Sequence, residues 1–195
     1  MIELQRVTGM RPSEVRLMRG SDLNTSGMVW EYTPHSHKTQ HHQKERVVMI
    51  GPKGQKVLTE FLRANLSAYL FSSDGDGQKP YRRDSYRNAI VRGCEQASGM
   101  PHKLRRLDAW LARQDDLTDN QRAKLRKNLL AEAREWRWEN CWTPNRLRHN
   151  FGTEARRAGG IEAARVTLGH ASAVTSEIYA EKDMDAARAV VAKIG

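Results

Sequence analysis

The sequence predicts a mainly α-helical protein with a small antiparallel β-sheet, an α+β fold, and two observations carry that prediction. Apolar residues recur at helical spacing over most of the chain. Two short segments, 28–33 and 46–50, are instead rich in β-branched and aromatic residues, which favour strands. Because a polar segment joins them, we expect an antiparallel hairpin whose loop lies in solvent or against a ligand.

The first half of the chain carries three predicted helical segments. Residues 2–7 resemble the end of a helix. Pro12 opens the next helix, since the missing N–H of proline would have had no partner in a first helical turn. After the second strand, Gly51 and Pro52 end the β-pattern, and the spacing of apolar residues predicts a helix over 57–66.

The second half is predicted to be helical almost throughout. A helix over 85–98 is stopped by Gly99, and the charged region 104–138 is predicted to form two helices broken near 117–121. Thr143 and Pro144 combine a hydroxyl N-cap with proline at the first helical position, and this helix ends at 159–160. A short helix stopped at 169, another carrying residue 179 and an amphipathic helix over 183–194 follow.

Composition and charge narrow the classes of protein to which the chain can belong. A length of 195 residues favours one domain, and 33 Lys and Arg against 23 Asp and Glu give a net charge of +10. That surplus favours polyanionic partners, with nucleic acid first and an anionic membrane second. No apolar run approaches the roughly 18 residues of a membrane span. The two cysteines, Cys94 and Cys141, fit no disulfide framework or metal motif, which predicts a reducing, cytosolic compartment.

The positive charge is concentrated in one part of the chain. Residues 78–106 hold eight Lys and Arg against two acidic residues. Tyrosines interleave with these cations, which favours contact with phosphates over a merely solvated surface. The predicted nucleic-acid contacts are Arg82, Arg83, Arg87, Arg105 and Arg106 in this stretch and Lys44 outside it.

Three polar motifs carry the residues that are suited to phosphate chemistry. TGMRPSE contains Arg11, TPNRLRH contains Asn145 and Arg148, and LGH ends at His170. Arg148 falls in the first turns of a predicted helix, where backbone N–H groups and the helix dipole favour an anion. Asn145 precedes it by three residues and therefore shares its helix face.

Together with Tyr179 and the predicted hairpin, these motifs resemble the signature boxes of the tyrosine recombinase, or phage integrase, family. The resemblance runs from about residue 7 to the C-terminus and is interrupted near 102–140. It implies the fold of that family's catalytic domain. It also implies a site-specific DNA recombinase that cleaves and rejoins strands through a 3′-phosphotyrosyl intermediate, without metal, ATP or another cofactor.

The resemblance also assigns roles to individual side chains. Arg11 and Arg148 would clamp the phosphate, and Tyr179 would attack its phosphorus. Lys38 in the hairpin loop would donate a proton to the leaving oxygen, while His170 would bind the phosphate or assist the tyrosine proton. The family commonly has histidine at the position of Asn145, and asparagine can donate a hydrogen bond there but cannot shuttle a proton.

Further expectations concern organisation and partners. Residues 1–195 are expected to form a single catalytic domain that lacks the family's N-terminal DNA-clamping domain and carries a helical insertion over 102–140. Double-stranded DNA is the expected partner and the prokaryotic cytoplasm or nucleoid the expected location. The helix 183–194 either docks on another copy, giving a homo-oligomer such as a tetramer on DNA, or packs on its own domain.

The same residues leave three other interpretations. A type IB topoisomerase would share the nucleophile and the cations but reseal the same strand, and a non-catalytic DNA-binding relative would keep only the fold and basic surface. A zinc site is disfavoured because no cysteine lies near the hairpin-loop histidines and Glu45 is the only acidic residue there; those histidines are His35, His37, His41 and His42.

Overall fold

A computed structural model describes residues 1–35 and 46–169, and the chain divides into two compact units. Met1–Arg83 with Pro144–Gly195 form the first unit, and Asp84–Thr143 form the second. The predicted mainly helical fold with a small antiparallel sheet is confirmed. The single domain with an insertion over 102–140 stays a prediction, and the second unit includes that range.

The described elements follow the predicted order closely. The helices are α1 Ile2–Thr8, α2 Pro12–Arg16, α3 Pro52–Thr59, α4 Arg83–Ala97, α5 His102–Arg105, α6 Leu107–Leu111, α7 Asp119–Asn140 and α8 Pro144–Leu168, with a 3₁₀ turn over Gly20–Asp22. The strands are β1 Leu23–Asn24, β2 Trp30–Tyr32 and β3 Val48–Ile50. The chain kinks inside α8 at Gly160, where the sequence predicts a helix end.

The sheet confirms the predicted hairpin and adds one short strand to it. β2 pairs with β3 in antiparallel register, with Tyr32 opposite Val48, and β1 pairs with the other edge of β2. Tyr32, Val48 and Ile50 point into the core, while Met49 points outward. The Tyr32 hydroxyl donates a hydrogen bond to the backbone carbonyl oxygen of Glu14 at 2.8 Å, which ties the sheet to α2.

The close packing of α1 on α8 depends on one glycine. Gly9 ends α1 in the left-handed region, with a φ of 64°. A β-carbon at Gly9 would lie 2.2 Å from Cδ1 of Phe151 in α8. Glycine is therefore required twice here, by backbone conformation and by space. Because Gly9 has no side chain, the segment that follows α1 can pack against the first turns of α8.

One predicted helix was wrong in its extent. The sequence pattern gives a helix over 57–66, whereas α3 begins at Pro52 and ends at Thr59. Leu66 is 59% exposed, and its backbone carbonyl oxygen accepts a hydrogen bond from the N–H of Ser21 at 2.8 Å. The apolar spacing continues beyond Thr59, but pairing with a distant segment sets the backbone there.

The second unit has a hydrophobic core of its own. Its buried members come from the segment between α4 and α5 and from α5, α6 and α7: Met100, Leu104, Leu107, Leu111, Leu129 and Ala133. The helix break predicted near 117–121 is confirmed, because Thr118 caps the N-terminus of α7 and accepts a hydrogen bond from the N–H of Gln121. The prediction of one helix before this break was wrong, because the chain forms two short helices there, α5 and α6. Among the helices that the structure describes, none is long and apolar enough to cross a membrane.

Candidate functional site

The candidate site begins at the N-terminus of α2, where Arg11 and Glu14 face each other. Pro12 occupies the first helical position, so Arg11 is the N-cap and Glu14 lies at the third helical position. The carboxylate of Glu14 accepts the Arg11 backbone N–H at 2.6 Å and the Arg11 Nη1 at 2.7 Å. The Arg11 side chain stays 18% exposed, whereas Glu14 is buried.

Arg46, which precedes β3, reaches the same carboxylate from the sheet. Its Nε lies 3.5 Å from Oε1 of Glu14, and its side chain is only 4% exposed. Its Nη1 donates to the backbone carbonyl oxygens of Val47 at 3.2 Å and Thr167 at 3.0 Å. Arg46 thus connects α2 to the end of α8.

Arg148, in the second turn of α8, joins the same two regions from the opposite direction. Its Nη1 donates to the backbone carbonyl oxygen of Gly9 and its Nη2 to that of Leu168, each at 2.7 Å. The residue is 7% exposed. Arg148 and Arg46 therefore join the same two segments, because Gly9 lies two residues before Arg11 and Leu168 follows Thr167. We call Arg11, Glu14, Arg46 and Arg148 the arginine cluster.

The arginine cluster carries an excess of positive charge. Three guanidinium groups against one carboxylate give these four side chains a net charge of +2. Burial alone would raise the pKa of Glu14, but the charge of Arg46 and the hydrogen bonds from Arg11 hold that pKa below its ordinary value. Glu14 is thus ionised at neutral pH, and the cluster still attracts anions through Arg11, its most exposed member.

The LGH motif meets the arginine cluster at its glycine. Gly169 has a φ of 65°, and a β-carbon there would lie 2.6 Å from Nη1 of Arg46. A side chain at this position would displace the guanidinium or the backbone. Gly169 is the last described residue before His170, so the motif that ends at His170 begins against Arg46.

The structure brings two of the six predicted catalytic residues into this cluster, namely Arg11 and Arg148. Asn145 is exposed in the first turn of α8, one turn before Arg148. The predicted Lys38, His170 and Tyr179 lie outside the described residues. So do Lys44, the helix over 183–194 and three of the four hairpin-loop histidines.

The five remaining predicted DNA contacts are all exposed, and they divide between the two units. Arg82 and Arg83 belong to the first unit, and Arg87, Arg105 and Arg106 belong to the second. Within the part of the chain that the structure describes, no group of three or more His, Cys, Asp or Glu is placed to hold a metal ion.

Two members of the arginine cluster were not among the predicted site residues. Glu14 stands three residues after Arg11 at the start of a helix, the position from which a glutamate reaches back to an N-cap N–H. That spacing was a usable signal. Arg46 shows only as a cation that precedes an apolar strand, and nothing local indicates that it is buried or that its partner is 32 residues away.

Glu14→Gln is expected to lower the free energy of unfolding by roughly 3–5 kcal/mol at neutral pH, because the change leaves Arg46 buried beside a neutral amide. A lowered folded-state pKa stabilises the fold above the unfolded pKa of about 4.3, and this contribution is lost as the pH falls through the folded value. The difference between the two proteins should therefore shrink below about pH 4. Urea unfolding followed by circular dichroism, at neutral pH and again below about pH 4, measures this difference in unfolding free energy.

Glu3→Gln is the matched control for this experiment. Glu3 pairs with Arg6 at 2.9 Å, but both side chains are more than half exposed. Exposed pairs contribute about 0–1 kcal/mol, so this variant should unfold nearly like the unchanged protein. Equal losses in the Glu14 and Glu3 variants would show that the buried carboxylate has no special part in holding the cluster.

Comparison with known proteins adds two findings. The model of the phage integrase family matches residues 1–123, a range that includes Arg11 and Lys38 and ends before Arg148. No curated protein sequence matches the chain significantly.

Solved structures match over nearly the whole chain. The Tn1549 transposon integrase in complex with circular intermediate DNA is 17% identical with a TM-score of 0.63, and the match covers 100% of this chain and 58% of that one. XerH site-specific recombinase bound to difH substrate is 18% identical with a TM-score of 0.58, and the match covers 97% of this chain and 44% of that one. XerA recombinase is 20% identical with a TM-score of 0.57, and the match covers 98% of this chain and 55% of that one. The fold is thus that of these recombinases, and the chain spans less than two thirds of each.

Proposed function

Because the chain belongs to the phage integrase family, we propose that it is the catalytic domain of a site-specific DNA recombinase. It cleaves and rejoins DNA strands through a 3′-phosphotyrosyl intermediate. The observation that carries this proposal is the arginine cluster, in which Arg148 bonds both to Gly9, next to the Arg11 motif, and to Leu168, next to the LGH motif. Segments far apart in sequence meet around fixed positive charge.

The proposed reaction is an exchange of phosphoester bonds. The Tyr179 phenol oxygen attacks the phosphorus and forms a new P–O bond, while the bond from phosphorus to the 5′-oxygen breaks. Lys38 donates a proton to the departing 5′-oxygen, and His170 binds the phosphate or takes the tyrosine proton. A 5′-hydroxyl from another strand reverses these steps and restores the phosphodiester. No ATP is consumed, because the phosphotyrosyl bond conserves the energy of the broken ester.

Arg11 and Arg148 stabilise the negative charge that the phosphate gains in the transition state. Preorganised charge is often the largest single catalytic contribution, and it is effective only if the donors are held in place beforehand. The hydrogen bonds from Arg11 to Glu14 at 2.6 Å and 2.7 Å, and those from Arg148 to two carbonyl oxygens, supply that support. Asn145 adds a hydrogen-bond donor to the phosphate but no proton transfer.

Recombination is favoured over relaxation by a type IB topoisomerase because the similar solved structures are an integrase and site-specific recombinases. Two of them are complexes with DNA. Double-stranded DNA is accordingly the proposed partner, and a homo-oligomer assembled on it through residues 183–194 is the proposed active form. A prokaryotic cytoplasm is the proposed location.

A covalent-capture experiment tests this function without knowledge of the target sequence. The full chain is incubated with a pool of random duplexes that each carry a nick. Cleavage close to the nick releases a short fragment that bears the 5′-hydroxyl, and loss of this fragment prevents resealing. Protein bound covalently to DNA is isolated under denaturing conditions, and its DNA is sequenced. We expect adducts enriched in one sequence and equally abundant with EDTA, since guanidinium groups provide the charge that a metal ion would supply. Absence of adducts, or their loss with EDTA, would refute the proposal.

A further inference from the structure

The long helix of the second unit, α7, has an exposed face on the side opposite the residues that it buries in the core of this unit. Leu129 and Ala133 of α7 are buried in the core of this unit. With roughly 100° between successive helical residues, Lys127, Arg134 and Trp138 fall close together on the side opposite Leu129. Trp138 is 86% exposed, which is unusual for a side chain of its size and polarity. We call the surface comprising Lys124, Lys127, Leu130, Ala131, Arg134 and Trp138 the outer face of α7.

The cations of this face, unlike Lys103 and Arg126 of the same unit, have no side-chain partner among the residues that the structure describes. Lys103 pairs with Glu132 and Arg126 pairs with Asp108, both at 3.0 Å. Over residues 1–35 and 46–169, no hydrogen bond or ion pair is made by the three cations of the outer face, Lys124, Lys127 and Arg134. Their charge is therefore available to an anionic partner.

We propose that the outer face of α7 binds the phosphate backbone of DNA, as a contact separate from the arginine cluster. From Lys124 to Arg134 the helix rises about 15 Å. A DNA strand carries one phosphate per roughly 3.4 Å of axis, so the three cations can meet phosphates along one strand. Trp138 adds an apolar contact with a deoxyribose at the end of this row. The inference rests on the proposed function only in taking DNA as the partner.

The charge of the face favours DNA over a protein partner. Its three cations outnumber Glu135, the exposed acidic residue at its edge, and the chain as a whole has a net charge of +10. Protein interfaces concentrate aromatic and apolar side chains and are depleted in lysine at their centre, whereas DNA contacts are dominated by lysine and arginine. A partner protein is the competing outcome of the test.

Two double variants of the full chain separate a local contact from the effect of net charge. Lys124→Ala/Lys127→Ala removes two cations from the outer face, and Lys103→Ala/Arg126→Ala removes two ion-paired cations elsewhere in the unit. Each lowers the formal net charge from +10 to +8. Binding to a fluorescein-labelled random-sequence duplex is measured by anisotropy over a series of NaCl concentrations, and thermal melts check that both variants fold.

The outer-face variant is expected to bind about tenfold or more weakly at low salt, with a log–log salt slope about 1.8 shallower, because each lost phosphate contact removes about 0.9. The control variant, Lys103→Ala/Arg126→Ala, should keep most of its DNA affinity at low salt and most of its salt slope. Trp138→Ala should weaken binding about fivefold without changing the slope, because it removes buried apolar surface and no charge. Equal losses in the two double variants, or unchanged affinity in the outer-face variant, would overturn the inference, and the second result would favour a protein partner.

Failure here can be told apart from failure of the proposed function. The anisotropy measurement needs no cleavage, so it is informative even if the unchanged protein forms no covalent adduct. Covalent capture by the unchanged protein together with full DNA affinity in the outer-face variant would leave the recombinase proposal standing and reject this contact alone.

Discussion

Replacement of Tyr179 by phenylalanine is expected to abolish covalent capture of DNA and to leave non-covalent affinity within about twofold. The change removes one oxygen atom, the one proposed to bond to phosphorus, and no cation that attracts the phosphate backbone. Capture on the nicked substrate is read on a denaturing gel, and affinity is read by anisotropy on an intact duplex. Because the variant keeps its aromatic ring, a fall in capture alone isolates the role of the phenol oxygen.

Tyr81→Phe is the matched control, since it removes the same atom from a tyrosine that is only partly buried. Two other tyrosines, Tyr32 and Tyr86, are poor nucleophiles because burial raises the pKa of each well above its ordinary value. Tyr69, whose hydroxyl accepts a hydrogen bond from Arg19 at 2.7 Å, and Tyr81 are the other candidate nucleophiles among the described tyrosines. Undiminished capture by the Tyr179 variant would reject this residue as the nucleophile and direct attention to Tyr69 or Tyr81.

Much of the fold could be predicted because its helix boundaries depend on local chemistry. Pro12, Thr118 and Pro144 each start a helix by a mechanism confined to the first turn. Gly160 interrupts α8 through its own backbone conformation, with a φ of 77°. The end of α3 could not be predicted in the same way, because the hydrogen bond that fixes Leu66 comes from Ser21, on a segment that sequence periodicity cannot connect to it.

The residues of the candidate site likewise differ in whether local sequence or distant contacts define them. Arg11 and Arg148 could be predicted because motifs mark them, and the structure brings both into one cluster. Arg46 could not, because its importance arises from burial against Glu14 and from its hydrogen bond to the carbonyl oxygen of Thr167, 121 positions away. A one-dimensional pattern records that a residue is charged and does not record which distant groups will neutralise it.

Arg148→Lys is expected to slow single-turnover cleavage by about 10²–10³-fold while DNA affinity changes only a few-fold. Lysine keeps the positive charge, so attraction to the phosphate backbone survives. It has no planar fork, however, and cannot reproduce the two bonds, each of 2.7 Å, by which the guanidinium spans the carbonyl oxygens of Gly9 and Leu168. Cleavage at saturating DNA measures the chemical step separately from binding.

Arg148→Ala should show a further loss that the lysine variant helps to interpret. Each buried carbonyl oxygen left without its donor costs about 1–3 kcal/mol of folding free energy, so the alanine variant should melt earlier as well as cleave slowly. Arg146→Lys, two positions away on an exposed part of α8, makes the same chemical change and should alter neither stability nor cleavage. If Arg148→Lys loses stability but cleaves at the unchanged rate once bound, Arg148 joins the two motifs and leaves transition-state stabilisation to Arg11. If cleavage falls while stability holds, the guanidinium acts on the phosphate itself.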